Sequence, residues 1–526
     1  MKKTWLGALT AGLASLLLSC GGGGPSDSVD ARPFGPGFGA AGGLSQIHGL
    51  IGLVVDANTG SPLSGVTVSA GSLSTTTDGL GNFTMPTIPN GTSVVSFTLA
   101  AYALQSRTVQ VISTIETSVI VQMVPNVTPT PSSFDPLAAA ALSVTGSTAQ
   151  LVIGANTLRH TDGTPAAAGN ASAVLTPIGP SLDPYLLPGE YLFGTNSPFE
   201  TFGGVDVQIT DSAGLPLTTL TAPATIRIPV NTRSGSLPAT VVLLRFDPAS
   251  GLWVQDGTAT LMGSAPNQFY EGTVNRTATW SAAQGYTASN ITVCVNDTNG
   301  NPVNNARVYS DGIDYSGANA GWTNASGIAV VQMKRGGQAV ISANSPRSSN
   351  SATILAGQSA SDFTLSPCLI MPTAGMTIRL TWGQSPADLD SHLKGPNNVH
   401  IVYFSRGSLT SAPFAALDVD DVTSFGPEVI TITRLTRGVH EYFVHNFSGT
   451  NPPGITGSPA RVEVRVGAQI AIYRPGTGEG TTNDYWRVFQ FTVNADCSVT
   501  LSALTNSWAA VEPANPAGSA GGAFCN

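Results

Sequence analysis

Charge is what this sequence of 526 residues has least of: 22 Lys and Arg stand against 31 Asp and Glu, a net charge of -9, and only 10% of residues are charged. An average globular chain carries about 25%. So small a supply leaves little for the solvated outer faces of helices, and its acidic balance excludes the basic patch from which nucleic-acid recognition starts. Histidine is also scarce, at six residues. After the first twenty residues no run approaches the roughly 20 apolar positions needed to span a bilayer as a helix. What is plentiful is 59 Gly, 36 Pro and 41% hydrophobic residues. Disorder needs low hydrophobicity and high charge, so this mixture reads as short strands punctuated by turns. The length allows about three to five domains of roughly 100–200 residues each.

The N-terminus carries Lys2 and Lys3, an apolar run from Trp5 to Leu18, then Leu17-Leu18-Ser19-Cys20 and four glycines. A positive start and a short apolar stretch make a signal peptide over residues 1–19, and the sequence around Cys20 resembles the lipobox of bacterial lipoproteins. That resemblance implies acylation of Cys20, and Gly21 in the following position implies the outer membrane, facing either the surface or the periplasm. Residues 20–45 then form a Gly/Pro-rich tether with a reach of roughly 25–30 Å. The four remaining cysteines, Cys294, Cys368, Cys497 and Cys525, are an even number in an oxidising compartment. Of three connectivities, Cys294 with Cys368 and Cys497 with Cys525 is favoured, because the first pair brackets one domain and the second pins a tail. No CxxC spacing points to zinc or dithiol chemistry.

Four β modules follow. Residues 46–124 alternate β-branched runs with turns, and Thr59-Gly60-x-Pro62-Leu63-x-Gly65-Val66 with Thr77-Asp78-x-x-Gly81-x-Phe83 resembles the carboxypeptidase regulatory-like domain. This implies a transthyretin-like β-sandwich without catalytic residues. Residues 125–288 open on a Pro/Thr linker, carry the runs Leu151 to Asn156, Gly203 to Ile209, Ala224 to Pro229 and Phe246 to Trp253, and resemble ZU5-like or cartilage-intermediate-layer-like β modules, the other reading being an unrelated sandwich. Residues 289–368 repeat the first pattern: the turn Asp297 to Val303 answers Asp56 to Leu63, and Thr323 to Ala329 answers Thr77 to Phe83, giving a second regulatory-like or Ig-like sandwich. Residues 369–503 contain Asp388-Leu389-Asp390-Ser391-His392 and Leu417-Asp418-Val419-Asp420-Asp421 running on to Gly426-Pro427-Glu428, and resemble the uncharacterised YfaP-like domain of bacterial surface proteins. Residues 504–526 are a C-terminal tail. The fold class expected is thus all-β, serial sandwich modules behind a lipoprotein signal and a tether.

Within so charge-poor a chain the acids between Asp388 and Glu428 are concentrated, and like charges held together need an offsetting cation. Calcium takes six to eight oxygens from carboxylates and carbonyls, which makes Asp388, Asp390, Asp418, Asp420 and Asp421 candidate ligands. The spacing is not that of an EF-hand. Two other readings stand beside it. The acids cap turns and pair with Arg379, Lys394 or Arg406, or His392 and His400 hold a transition metal. The pair His440 and His445 is five apart in a β-rich run and lacks the i, i+4 spacing of a zinc-protease helix. No His-x-x-Glu, Gly-x-Ser-x-Gly or phosphate-binding loop occurs. Trp253, Trp322, Trp382 and Trp486 are candidates to stack on sugars, or core. The function expected is therefore non-catalytic: adhesion, scaffolding, or glycan and protein binding by an envelope lipoprotein. The alternative is a metal-dependent hydrolase, or an accessory module of a secreted enzyme, centred on Asp388, Asp390, His392 and Asp420.

Overall fold

The computed structural model describes residues 49–526 apart from 113, 116, 195, 298, 346–347, 355–356, 372–374, 418–419, 423, 425, 459, 467–468, 481–483 and 526. The signal, Cys20, the tether and Asp418 lie outside the described residues. The fold is all-β, and the longest helix among the described residues is the single turn Gly454–Gly457. No described helix is long and apolar enough to cross a membrane.

In the first module a three-stranded sheet packs on a four-stranded one around Val54, Val68, Phe83, Phe97, Val109 and Val121. The strand Leu50–Asp56 runs parallel to Thr117–Met123. The turn after it is fixed by Asp56, whose Oδ1 accepts the amides of Asn58 and Thr59 at 2.8 Å each, as an Asx turn requires. Thr77 is a buried clamp: its Oγ1 donates to Leu63 O and accepts Val66 N.

The third module reproduces these devices. Asp297 Oδ1 accepts Asn299 and Asn301 amides, and Thr323 Oγ1 donates to Val303 O while accepting Ala306 N. The strand Ala288–Asp297 again pairs in parallel with chain far downstream, at Phe363–Thr364 and Leu369–Met371. Cys294 and Cys368 are bonded beside that pairing, the connectivity favoured from the sequence.

The second module differs in plan. Its strands form one 12-stranded sheet whose path begins at Ser133–Phe134 and ends at Ala140–Ser143. Reciprocal hydrogen bonds between Thr130 and Ser143, at 2.7 and 3.0 Å, join the two ends. The sheet thereby wraps a core of Phe202, Leu243, Tyr270 and Trp280. The last module is a sandwich of a six-stranded and a five-stranded sheet around Trp382, Tyr442, Trp486 and Phe489. Its final strand Val499–Ala509 carries past residue 503. The chain beyond it returns to the sandwich, where Cys525 N donates to Leu435 O and Cys525 is bonded to Cys497.

The modules are serial in the chain but share a junction, and much of the scarce charge is spent there. Arg107, the one basic residue of the first module, is buried and donates to Ser106 O and Tyr185 O. Arg307 of the third module reaches Thr108 O and Glu190. From the last module Arg379 pairs with Asp311 at 2.7 Å. Arg461 donates to Gln122 Oε1 at 2.7 Å, Asp183 Oδ2 at 3.3 Å and Glu463 Oε2 at 2.8 Å. Arg107 and Arg379 also line a cavity of about 70 Å³ to which all four modules contribute, Gln122, Asp183, Asp311 and Arg465 among the residues. Burial alone would raise the Glu463 carboxyl, but the guanidiniums of Arg465, Arg461 and Arg379 pull it down to about 2.

Candidate cation site and aromatic surface

At one end of the last sandwich, loops from its two sheets meet. The first leads through Asp388 into the strand Asp390–Gly395 of the five-stranded sheet. The second joins Ala415–Leu417 to Glu428–Ile432 in the six-stranded sheet and carries Asp420 and Asp421. A backbone hydrogen bond from Ser424 N to Ala387 O, 2.8 Å, ties the loops together. Gly426 turns at φ 70° with its Cα against Trp382, where a Cβ would lie 2.6 Å from the ring; a side chain there would lift the second loop off the first.

This geometry brings carboxylate oxygens of Asp388, Asp390 and Asp420 within 4.8 Å of one another. Asp388 and Asp390 are 8% and 2% exposed, yet Asp388 Oδ1 and Asp390 Oδ2 accept no hydrogen bond from any described residue. Glu428, wholly buried, accepts Ser391 N through Oε2 at 2.6 Å and leaves Oε1 equally unpartnered. Burial and then the neighbouring Asp390, Asp420 and Asp421 push the Asp388 carboxyl up to about 7. Burial and Asp390 likewise raise Asp420, and burial takes Glu428 well above the carboxylate range. Buried polar groups are normally satisfied, and carboxylates crowded in this way ionise together only with a cation among them.

The pairings expected as the purely structural reading are largely made elsewhere. Arg379 serves the junction, Lys394 pairs with Glu512 of the tail, and Arg406 alone approaches, 3.7 Å from Asp420 with its side chain 48% exposed. Asp421 is buried and partnered. Thus Asp388, Asp390 and Asp420 converge, and Glu428, which the spacing did not single out, stands behind Ser391.

The alternation of strand Asp390–Gly395 sets a second group beside the first, since Asp390 and His392 project from one face. In the antiparallel register Asp390 lies opposite His445, and His392 opposite Phe443. His445 Nδ1 is 3.5 Å from Asp390 Oδ2, and its ring stacks on Tyr485 at 4.2 Å. The ring of His392 stacks on Phe443 at 4.7 Å, and its Nδ1 lies 3.1 Å from His400 Nε2. Burial, with His400 and His445 close by, pushes the His392 imidazole down to about 2, so it is neutral. His440, five residues before His445, faces the other side and stacks on Phe491.

Next to these groups the surface is aromatic. Tyr403, Phe404 and Phe447 are 36%, 66% and 50% exposed and meet edge to face, with Tyr403 contacting both phenylalanines at 4.9 and 5.7 Å. Phe447 touches the His445 ring and Phe404 the His400 ring. The tryptophans do not form this surface. Trp253, Trp382 and Trp486 are core, and Trp322 lies under the Arg307 guanidinium.

No family model matches the sequence. Among solved structures, the chain is similar to the one described as "The Bacillus anthracis TIE protein", at 10% identity over 61% of this chain, with a TM-score of 0.14. The matched part spans half of that protein's length, and a likeness so slight carries no argument.

Proposed function

We propose that the chain is a non-catalytic envelope protein, held at the outer membrane by an acyl group on Cys20, whose last module uses calcium to shape a carbohydrate-binding surface. The observation that carries this reading is the convergence of Asp388, Asp390 and Asp420, with buried oxygens of Asp388 and Asp390 that accept no hydrogen bond among the described residues, beside three exposed aromatic rings. An all-oxygen carboxylate set is the donor chemistry of Ca²⁺ rather than of a softer ion. Bound there, the ion offsets the mutual repulsion of the acids and fixes the second loop against the first. Tyr403, Phe404 and Phe447 then offer faces and edges on which the C–H surface of a pyranose stacks.

The test is binding of the intact protein to a glycan array in calcium and in EGTA, with Phe404→Ala as the variant. The expected result is retention in calcium, loss in EGTA, and loss in the variant without a change in melting temperature. Retention that ignores both EGTA and Phe404→Ala overturns the proposal.

A further inference from the structure

We propose that Asp390, His392 and His445 form a second metal site, of mixed nitrogen and oxygen ligands, that takes a borderline divalent ion such as Zn²⁺ directly beside the all-oxygen site. The three side chains present ligand atoms within 4.8 Å of one another. Strand register alone accounts for this: Asp390 and His445 are cross-strand partners, and His392 follows two residues later on the same face.

The decisive group is His392. It is only 3% exposed, and its Nε2 has no partner among the described residues, although a buried ring nitrogen is ordinarily satisfied. Its other nitrogen is occupied by the 3.1 Å contact to His400 Nε2. With the proton on Nδ1 and donated to His400, the Nε2 lone pair is left for a metal, which is the arrangement by which outer-shell partners fix the tautomer of a ligating histidine. Both rings are also held by stacking, His392 on Phe443 and His445 on Tyr485, so binding costs little side-chain ordering.

Two imidazoles and one carboxylate suit Zn²⁺, and three protein ligands leave a fourth position for water or a ligand oxygen. Calcium, which prefers oxygen, is directed instead to Asp388 and Asp420. The inference rests on the proposed calcium site in one respect only, that Asp390 is common to both; His392 and His445 are not among the proposed calcium ligands.

The test strips the intact protein of metal and titrates it with Co²⁺, read by visible absorption. A single equivalent is expected to give a band that Zn²⁺ abolishes and Ca²⁺ does not. His445→Phe keeps a ring to stack on Tyr485 and is expected to lower the Co²⁺ affinity at least about tenfold while the calcium-dependent melting temperature stays in place. His392→Asn is expected to do the same, and serves if the first variant folds poorly. Asp388→Asn is expected to have the converse effect, losing the calcium response and keeping the cobalt band. A cobalt band that survives both histidine variants, one displaced by Ca²⁺, or none in the wild type overturns the second site. Loss of the calcium response alone, with the cobalt band intact, overturns only the calcium reading.

Discussion

Arg461→Ala tests whether the four modules are one cooperative unit. The guanidinium is 3% exposed and bridges the last module to Gln122 of the first, at 2.7 Å, and Asp183 of the second, at 3.3 Å, while pairing with Glu463 at 2.8 Å. Removing one member of a buried ion pair costs about 3–5 kcal/mol, because the partner charge is left in a poor dielectric. Glu463 retains Arg465 at 2.5 Å, and Asp183 retains Gln122 Nε2 and Tyr185 N at 2.9 Å each. The loss is therefore expected at the low end, about 3 kcal/mol. Differential scanning calorimetry of the intact chain should show a lowered melting temperature and a transition that splits, the last module melting apart from the first two. A double-mutant cycle with Gln122→Ala should return a coupling of about 1 kcal/mol or more. A loss below about 1 kcal/mol, an unsplit transition and additivity within about 0.5 kcal/mol would refute the junction as the lock between modules.

Three further outcomes follow from the same geometry. The Glu463 carboxyl lies lower folded than unfolded, so its contribution is complete above its unfolded value and lost as pH falls through about 2; acid unfolding should flatten over that range in Glu463→Gln. In calcium-free buffer Asp388 acts with the opposite sign. Its folded value of about 7 exceeds the unfolded one, so the last module should lose stability as pH rises from about 4 to 7, and calcium or Asp388→Asn should abolish that slope. Reducing Cys294–Cys368, which closes a loop with a sequence separation of 74, should destabilise the third module by about 4 kcal/mol in the chain-entropy view. An unchanged melting curve in reductant, with thiol release confirmed, would count against that figure.

Local signals proved readable in the chain. Asp56 and Asp297 turn it through their own side chains, and Thr77 and Thr323 clamp equivalent loops, so a repeat seen as spaced residues is a repeat of hydrogen bonds. The acidic loops were legible because they broke a charge-poor background, and Asp388, Asp390 and Asp420 do converge. What pairing across strands decides was not legible. His445 lacks helical spacing to His440, yet the register that separates those two places His445 opposite Asp390. Nor does any periodicity mark a contact between modules. Arg107 reads in the sequence as the one basic residue of a charge-sparse sandwich, but folding buries it against the second module. Likewise the tryptophans that invited a surface role are core, because a side chain so large pays most when fully removed from water.

The most direct test of the calcium site at the centre of this account is the melting temperature of the intact protein in EGTA and in calcium, for wild type and Asp390→Asn. An ion that binds only the folded form stabilises it by about 2.7 kcal/mol at a hundredfold excess over its dissociation constant. The wild type should therefore melt several degrees higher in calcium, and Asp390→Asn should melt at the same temperature in both. A wild-type midpoint that does not move between calcium and EGTA would contradict the account.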